Sequence, residues 1–546
     1  MSSRSIGARS RVTVVAGIGA ISVLGTVLAG CSTSSGDTSA DAGPAQSGGI
    51  LRYGLSTAPT CADPAQAGTN QTVYVTRSVV DSLTDQSPET GEITPWLAKS
   101  WEISPDAASF TFTLRDDATF SDGTRVTAES IKKNFDVVKN LGPNAALAKS
   151  YLSTYTGTEV IDEHTAKVSF SGPNVQFLQA TSTPQLGILA DSTTALPTEQ
   201  RCAGASVIGS GPFVYSDWQQ DRSVSIKKRA GYNWASDAVA HQGEAYLDGV
   251  DFIVVPESGV RAGSVASGQL DAVSDALTQD APQIEGAGGR ILTRPNPGIV
   301  FFFQPNVSRG VLADQAVRQA IIPAINRQEL VDTVLDPSFF PATSPLAHTT
   351  PLYADQSGVV TYDADKAGNL LDAAGWKTSA DGIREKDGQK LTFAVSFSPV
   401  FAGNQAILEL VQQQLRKVGV DLKLNLLSNG ELTEKQTSGD YDAVYYNATR
   451  ADADILRASF GLDGRNLNKR AADPELDKVL TEQLATIDSA ARGELVSEAQ
   501  ELIVDRGLSI PTIELSQAVG AGSSVQDLNF EASSRLQFYD AWLSGK

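Results

Sequence analysis

The chain has 546 residues and a formal net charge of −20. A single hydrophobic core rarely serves a chain of this length, so we expect two or three domains. The negative charge argues against nucleic acid and anionic membrane surfaces as partners, because both repel an acidic protein.

Residues 1–30 have the pattern of an export signal. Three arginines in the first eleven residues precede an uncharged run over 12–29. That run is at the lower length limit for a membrane span, so a transmembrane anchor is the alternative. The order Leu-Ala-Gly-Cys before a polar segment resembles the lipobox of bacterial lipoproteins. This resemblance implies that a lipid is attached to Cys31 and that the signal is removed.

Residues 31–47 are rich in Ser, Gly, Asp and Ala. Such a segment buries too little apolar surface to fold, so we predict a lipidated flexible tether. The mature protein is then held at the outer face of the cell membrane by its lipid. No later segment is long and apolar enough to cross a bilayer.

Two cysteines remain once Cys31 carries lipid, namely Cys61 and Cys202. An even number of cysteines in an oxidising compartment favours pairing. We therefore predict a disulfide between them, with two unpaired thiols as the alternative.

The first folded segments are a predicted strand over 50–56 and a predicted helix over 72–83, where apolar residues recur at helical spacing. A predicted hairpin pairs 101–103 with 109–114. A helix follows over 128–138, with Thr127 available as its N-cap.

Several motifs in order resemble the large extracytoplasmic solute-binding proteins of ABC importers, family 5, which includes the oligopeptide- and dipeptide-binding proteins. Each motif alone is a weak signal, but six in the same order behind a lipobox form a specific one. The resemblance covers about residues 48–546. The segments that carry it are 95–101 with 112–131, 208–213, 247–252, 267–271, 314–327 and 363–376.

The second half of the chain predicts a β-α-β-α-β run independently of the family. Its segments are strands over 391–399, 420–427 and 441–447, with helices over 404–417 and 432–438. Crossovers of this length require parallel strands, and a parallel sheet binds ligands beyond the carboxyl ends of its strands.

Pro323 interrupts a helical pattern over 316–325 and predicts a break there, because proline lacks an N–H and clashes with the preceding turn. Asn326, followed three residues later by Glu329, then predicts the cap of a second helix.

The resemblance implies an α/β fold of the type II periplasmic-binding-protein class, with two lobes and an extra α+β domain inserted in the first lobe. We assign lobe one to 48–92, 205–296 and 516–546, the extra domain to 93–204, and lobe two to 297–515. The crossings near 296 and 515 are the expected hinge.

The sequence gives little support to a metal site or an enzyme. His164, His241 and His348 are far apart, and none has metal-ligand spacing. An extracytoplasmic serine hydrolase is the rival from another class, since Ser130 and Lys133 fit the S-x-x-K pattern. The other elements of that pattern come in the wrong order, and we expect no enzyme, no cofactor and no metal.

A binding site needs aromatic walls and a few placed polar groups. The candidates lie after the first strand, at the start of lobe two, and in and beyond the strand over 441–447. They are Ser56, Thr57, Thr60, Phe303, Gln304, Tyr446, Asn447, Arg450, Asp452 and Asp454. A core strand is the alternative for the run 301–303, and a solvated surface loop is the alternative for 450–454.

In peptide-binding members of the family, an aspartate in this last region receives the α-ammonium group of the ligand. The resemblance implies that role for Asp452 or Asp454, and the alignment leaves open which of them matches, or whether either does. Arg450 is expected either to pair with an aspartate or to bind a ligand carboxylate with both of its terminal nitrogens.

The expected function is that of a lipid-anchored, monomeric binding component that delivers a small organic solute, preferably a short peptide, to an ABC permease. A glycan fragment, an opine or a metal chelate is the alternative within the same fold. A serine hydrolase is the alternative outside it.

Overall fold

The structure is a computed structural model that describes residues 43–141, 145–335, 337–399, 401 and 403–545. Pro44–Lys546 form one compact unit. Cys31 and the export signal lie outside the described residues, so lipid attachment stays a prediction. No helix within the described ranges is long and apolar enough to cross a membrane.

Lobe one is built on a seven-stranded mixed sheet. Its first strand, Ile50–Leu55, pairs in parallel with Gly249–Val254 on one side and with Ala272–Val273 on the other. The carboxyl ends of these three strands therefore meet at one edge of the sheet. In spatial order the strands are Arg290–Pro295, Ser516–Ala521, Ala272–Val273, Ile50–Leu55, Gly249–Val254, Ser223–Lys228 and Phe213–Gln219.

The extra domain contains a four-stranded antiparallel sheet whose strands are Ala98–Ile103, Ser109–Leu114, Thr165–Phe170 and Tyr155–Asp162. The predicted hairpin is confirmed by its first two strands. Phe177 packs against Phe110 and Phe135 of this domain. These rings belong to the same hydrophobic cluster as Tyr53 of lobe one, so the two parts share one core.

Lobe two is built on a six-stranded sheet with hydrophobic clusters on both faces. Thr392–Phe397 pairs in parallel with both Asp421–Leu426 and Ala443–Thr449. This pairing confirms the predicted parallel β-α-β-α-β run. In spatial order the strands are Phe340–Pro341, Ile510–Glu514, Gly298–Pro305, Ala443–Thr449, Thr392–Phe397 and Asp421–Leu426.

The remaining strands form small sheets. They are Thr84–Gln86 with Ile93–Pro95, Lys377–Thr378 with Arg384–Lys386 and Gln389–Lys390, Val525–Gln526 with Trp542–Leu543, and Asn529–Phe530 with Leu536–Gln537. The α-helices are Asn70–Arg77, Ala128–Asn140, Ala146–Tyr151, Phe177–Ala180, Asp191–Thr194, Ser258–Ala266, Ala281–Gly286, Gln315–Ala324, Arg327–Val334, Ala364–Ala373, Asn404–Lys417, Asn429–Ser438, Ile455–Phe460, Pro474–Ala485 and Ser489–Asp505.

The helix predicted over 72–83 is Asn70–Arg77 in the structure, and the prediction is wrong beyond it. Gly211 N–H donates to the Val79 carbonyl, and Phe213 N–H donates to the Ser78 carbonyl. A Cβ at Gly209 would lie 1.9 Å from the Val79 carbonyl oxygen. The neighbouring turn over 209–213 thus hydrogen-bonds to the carbonyls of Ser78 and Val79, which a longer helix would need for its own hydrogen bonds.

The predicted break near Pro323 is confirmed, because one helix ends at Ala324 and the next begins at Arg327. The Asn326 side chain accepts a hydrogen bond from the Glu329 N–H at 3.2 Å. A cap of this kind satisfies a backbone donor that the first helical turn leaves without a partner.

Cys61 and Cys202 form a disulfide that spans 141 residues of sequence. It ties the loop after the first strand of lobe one to the end of the extra domain. The loop that begins at Ser56 is therefore held at both its ends, by the strand and by the disulfide.

The chain crosses between the two large sheets twice, and the crossings lie side by side. Arg290–Pro295 leads into Gly298–Pro305, and Ile510–Glu514 leads into Ser516–Ala521. Asn296 N–H donates to the Leu515 carbonyl at 2.7 Å, which joins the crossings. Two adjacent single-chain connections are the usual construction of a hinge between lobes.

Candidate functional site

A cleft with a volume of about 540 Å³ lies between the lobes beside the two crossings. This volume is within the range of roughly 300–1,000 Å³ that small-molecule sites occupy. Both lobes and the hinge contribute to its lining. The lining residues are Ser56, Thr57, Asn70, Gln71, 275–279, Val334, Leu335, Phe339, Phe401, Gly403, Ala406 and 515–518.

The lobe-one wall of the cleft is polar and is centred on Asp275. Its Oδ2 accepts hydrogen bonds from Ser56 Oγ at 2.5 Å, Gln71 Nε2 at 2.9 Å and Ser274 Oγ at 2.9 Å. Among the described residues, none donates to Oδ1 and no cation lies within 4.0 Å of this carboxylate. Asp275 has a φ of +50°, an uncommon backbone conformation that aspartate tolerates better than most residues.

The lobe-two wall of the cleft is apolar. Phe339 and Phe401 lie with ring centroids 5.6 Å apart, and Leu335 and Val334 complete the surface. An apolar wall opposite a carboxylate favours a ligand with both a hydrocarbon part and a hydrogen-bond donor.

A chain of side-chain hydrogen bonds runs along the hinge from one lobe to the other. Gln517 Oε1 accepts from Asn70 Nδ2 at 3.2 Å and from the Tyr74 hydroxyl at 3.0 Å. Gln517 Nε2 donates to Asn296 Oδ1 at 3.0 Å, and Asn296 Nδ2 donates to Thr449 Oγ1 at 2.9 Å. The chain links the end of strand Ala443–Thr449 to Gln517, which lines the cleft.

The residues predicted after the first strand are divided between two places. Ser56 and Thr57 line the cleft. Thr60 is exposed outside that lining, where its backbone N–H donates to Thr72 Oγ1 at 3.0 Å. Its side-chain hydroxyl also lies within hydrogen-bond distance of Thr72 Oγ1, at 3.2 Å, and is not part of the cleft lining.

Three residues predicted to bind ligand lie in the lobe-two core instead, which corrects their expected position. Phe303 is buried in one of the two hydrophobic clusters on the sheet. Gln304 is fully buried and donates to Asn468 Oδ1 at 2.8 Å, while Tyr446 donates its hydroxyl to Gln304 Oε1 at 2.6 Å. Asn447 is half-buried in the same strand as Tyr446 and lies outside the cleft lining.

Asp452 and Asp454 also depart from their expected role, because the protein itself neutralises both. Arg492 donates to the two carboxylate oxygens of Asp452 at 2.7 and 2.9 Å. Arg457 donates to the two oxygens of Asp454 at 2.8 and 2.9 Å, and Gln483 adds a third bond at 2.6 Å. Both carboxylates are buried, so neither is available to a ligand ammonium group.

Burial alone would raise the pKa of Asp452, but the charge and hydrogen bonds of Arg492 outweigh it and hold the pKa below its usual value. The same contact raises the pKa of Arg492 against the opposing effect of burial. The pair is therefore ionised at neutral pH and serves as an internal ion pair.

Arg450 differs from its neighbours in the same loop, since no described carboxylate lies within 4.0 Å of it. Its Nη2 donates to Ser150 Oγ at 3.0 Å and its Nη1 to Gln176 Oε1 at 3.5 Å. Its guanidinium lies over the Tyr151 ring, 4.9 Å from the centroid. These partners belong to the extra domain, so Arg450 bridges the lobes.

Sequence reasoning missed Asp275, Gln71, Gln517 and the apolar wall. Asp275 had a usable signal, because it follows Ala272–Val273 as Ser56 follows Ile50–Leu55, and these parallel strands end at one sheet edge. Phe339 carried no such signal, since its position depends on how lobe two folds back toward the hinge.

The residues of the rival hydrolase pattern have structural partners. Ser130 Oγ accepts the Thr127 N–H at 3.3 Å in the cap of its helix. Lys133 contacts Asp191 at 2.5 Å. Among the described residues, no group of three or more His, Cys, Asp or Glu side chains is placed to hold a metal ion.

Comparisons with known proteins agree with this architecture. The model of bacterial extracellular solute-binding proteins, family 5 Middle, matches residues 92–462. The probable D,D-dipeptide-binding periplasmic protein of Escherichia coli is 26% identical over 470 residues, covering 84% of this chain and 86% of that protein. The glutathione-binding protein of Salmonella typhimurium is 27% identical over 430 residues, covering 76% and 80% respectively.

The crystal structure of NikA from Brucella suis in complex with Fe(III)-EDTA has a TM-score of 0.78 at 23% identity, and the match covers 91% of this chain and all of that one. This likeness establishes the two-lobed type II binding-protein fold. Since the family model covers most of the folded chain, the protein belongs to family 5 of the bacterial extracellular solute-binding proteins of ABC importers.

Proposed function

We propose that this protein captures a short peptide or peptide-like zwitterion in the cleft between its lobes and delivers it to an ABC permease. The observation that carries the proposal is the cleft, with the Asp275 carboxylate on one wall and the Phe339–Phe401 surface on the other. A ligand ammonium group matches the carboxylate, and a hydrocarbon side chain matches the rings.

Asp275 replaces Asp452 and Asp454 as the acceptor for that ammonium group. Its Oδ2 is held by three neutral donors, and no described cation lies within 4.0 Å of the negatively charged carboxylate, while Arg261 donates to the Asp275 backbone carbonyl at 3.0 Å. A charge-assisted bond from a bound ammonium compensates that charge when the lobes close and exclude water.

Two of the named relatives support a peptide ligand, since they are designated as D,D-dipeptide-binding and glutathione-binding proteins. The Brucella suis structure is in complex with Fe(III)-EDTA, so a metal chelate is the second candidate ligand. The volume of about 540 Å³ suits a molecule of a few residues. We further propose that the protein acts as a monomer tethered by lipid at Cys31, which keeps the loaded protein close to its permease.

Two measurements test the proposal. Native mass spectrometry of protein purified without denaturation is expected to show a retained small molecule, and a thermal-shift screen with di- to pentapeptides is expected to raise the melting temperature. Asp275→Asn is expected to weaken binding of the best peptide at least about tenfold, equivalent to roughly 1.4 kcal/mol.

Asp217→Asn is the matched control, because Asp217 is an exposed carboxylate of the same lobe that accepts from Gln219 at 2.8 Å. Its peptide affinity is expected to equal that of the wild type. Equal affinity in Asp275→Asn would instead reject Asp275 as the ammonium acceptor. Absence of any retained molecule together with absence of any thermal shift would reject the peptide-binding function.

A further inference from the structure

The apolar wall of the cleft continues a row of aromatic rings that begins in the core of lobe two. Phe301 is fully buried, and its ring stacks on Tyr445 with the centroids 5.3 Å apart. The ring of Phe401 lies 5.7 Å from that of Phe301, and the ring of Phe339 lies 5.6 Å from that of Phe401. Because close-packed rings resist displacement, the two rings at the cleft present a fixed apolar surface to a ligand.

Small residues on the adjoining helix leave space beside these rings. Gly403 and Ala406 line the cleft at the start of helix Asn404–Lys417. A Cβ at Gly403 would lie 2.6 Å from Cε1 of Phe401 and 3.2 Å from Cδ2 of Leu335, so a larger residue there would displace the ring. The φ of Gly403 is −75°, which any residue adopts. Contact with the ring, and not backbone conformation, therefore favours glycine at this position.

The two walls of the cleft offer different contacts to one part of a peptide. Asp275 on lobe one accepts the ligand ammonium group in the proposed function. The side chains of Phe339, Phe401 and Leu335 on lobe two have no hydrogen-bonding group and can bury only hydrocarbon. The amino-terminal residue of a peptide carries its ammonium group and its side chain on the same carbon atom. An apolar first side chain thus contacts lobe two while the ammonium group is bound to lobe one, which favours closure of the lobes.

We propose that the Phe339–Phe401 wall is a specificity pocket for a bulky apolar side chain on the amino-terminal residue of a peptide. The proposal rests on the proposed function and names its substrate class, which is peptides that begin with a residue such as leucine or phenylalanine. Phe401 supplies the contact surface, and the small side chain of Ala406 leaves room for the ligand. A polar first side chain of the same shape binds more weakly, because it loses its hydrogen bonds to water and finds no replacement at this wall.

The test compares three tripeptides that share two alanines and differ in their first residue. Leucine is the apolar probe, asparagine is a polar probe of similar shape, and glycine lacks the side chain. The variants are Phe401→Ala, which removes a ring of the wall, and Ala406→Leu, which fills the space beside it. Phe340→Ala is the matched control, because Phe340 follows Phe339 directly but is 40% exposed and lies outside the cleft lining.

The wild type is expected to bind the leucine peptide at least about tenfold more tightly than the other two in isothermal titration. Phe401→Ala is expected to reduce this preference to within about threefold, because the buried hydrocarbon contact is lost. Ala406→Leu is expected to weaken the leucine peptide at least about fivefold and the glycine peptide less than about twofold, because the pocket is filled. Phe340→Ala is expected to keep the wild-type preference. Asp275→Asn is expected to weaken all three peptides by a similar factor, since they share the ammonium group.

Two results would overturn the pocket and leave the peptide-binding function standing. One is a wild type that binds the leucine peptide no more tightly than the asparagine or glycine peptide. The other is an undiminished leucine preference in Ala406→Leu, which is exposed and is expected to fold as the wild type does, as its ligand-free urea midpoint verifies. If Phe401→Ala does not fold, Ala406→Leu decides the question alone. Failure of all three peptides to bind the wild type would reject the proposed function and the pocket with it.

Discussion

Two regions of the molecule place carboxylates just beyond strands, and their surroundings differ. Asp275 lies on the wall of an open cleft with neutral donors around it. Asp452 and Asp454 lie in a closed cluster where Arg492 and Arg457 each bind one of them. The difference shows that a carboxylate at a strand end becomes available to a ligand only when no internal cation has already neutralised it.

Removing one charge from the closed cluster is expected to have the largest effect on stability. Asp452→Asn leaves Arg492 buried without its ion-pair partner, which typically costs about 3–5 kcal/mol. Urea denaturation of the ligand-free protein measures this loss. Asp463→Asn is the control, because Asp463 is an exposed partner of Arg457, and its expected cost is below about 1 kcal/mol.

A stability of Asp452→Asn equal to that of Asp463→Asn would break the comparison, because the cluster would then be no more than a set of surface charges. A specific loss of peptide affinity with unchanged stability would also break it, since Asp452 would then act on the ligand.

The acid sensitivity of the same ion pair is the next effect in size. Arg492 holds the pKa of Asp452 below its usual value despite burial. The ion pair therefore stabilises the folded protein above the unfolded pKa of Asp452, and this stabilisation is lost as the pH falls through the folded pKa. Each unit of pKa shift corresponds to about 1.4 kcal/mol. Urea titrations from pH 7 down to pH 2.5 should show a steeper decline below about pH 4 in the wild type than in Asp452→Asn. Parallel curves would show that Asp452 titrates alike in the folded and unfolded protein.

The sequence predicted the strand that leads into Asp452 and Asp454, but it predicted neither the Ala272–Val273 strand that leads into Asp275 nor more than part of the site. Parallel pairing of Thr392–Phe397 with its two neighbours follows from crossover length and pattern, and it was confirmed. The counter-ion of Asp452 was not predictable, because Arg492 lies 40 residues further along and reaches the loop only through the packing of helix Ser489–Asp505. Phe303 and Tyr446 were assigned to the site because a buried strand and a cleft wall favour the same aromatic residues.

The open region is expected to tolerate change with a small effect on stability. Asp275→Asn keeps the shape of the side chain and its hydrogen-bond acceptor, and it removes a charge that has no described counter-ion. We expect the free energy of unfolding to change by less than about 1 kcal/mol, in either direction. Urea denaturation of the ligand-free variant and wild type measures this change in the free energy of unfolding. A loss as large as that of Asp452→Asn would show that an internal group neutralises Asp275 as well, and the contrast between the two regions would disappear.

The smallest expected effect lies near the hinge, where an internal partner can itself titrate. His348 Nδ1 lies 2.6 Å from Glu514 Oε2, and this hydrogen bond raises the pKa of His348. The stabilisation of the folded protein by this hydrogen bond is therefore complete below the unfolded pKa of about 6.5 and is lost as the pH rises through the folded pKa.

The expected size of this effect is small. Because 41% of the His348 side chain is exposed, we expect the bond to contribute less than about 0.5 kcal/mol to the free energy of unfolding. His348→Gln should be less stable than the wild type at pH 6 and should converge with it by pH 9, as urea denaturation at each pH measures. A constant difference across that range would mean that Glu514 stabilises neutral and protonated His348 equally. Glu514 would then behave as an ordinary hydrogen-bond acceptor, and not as the charged partner that distinguishes the closed cluster.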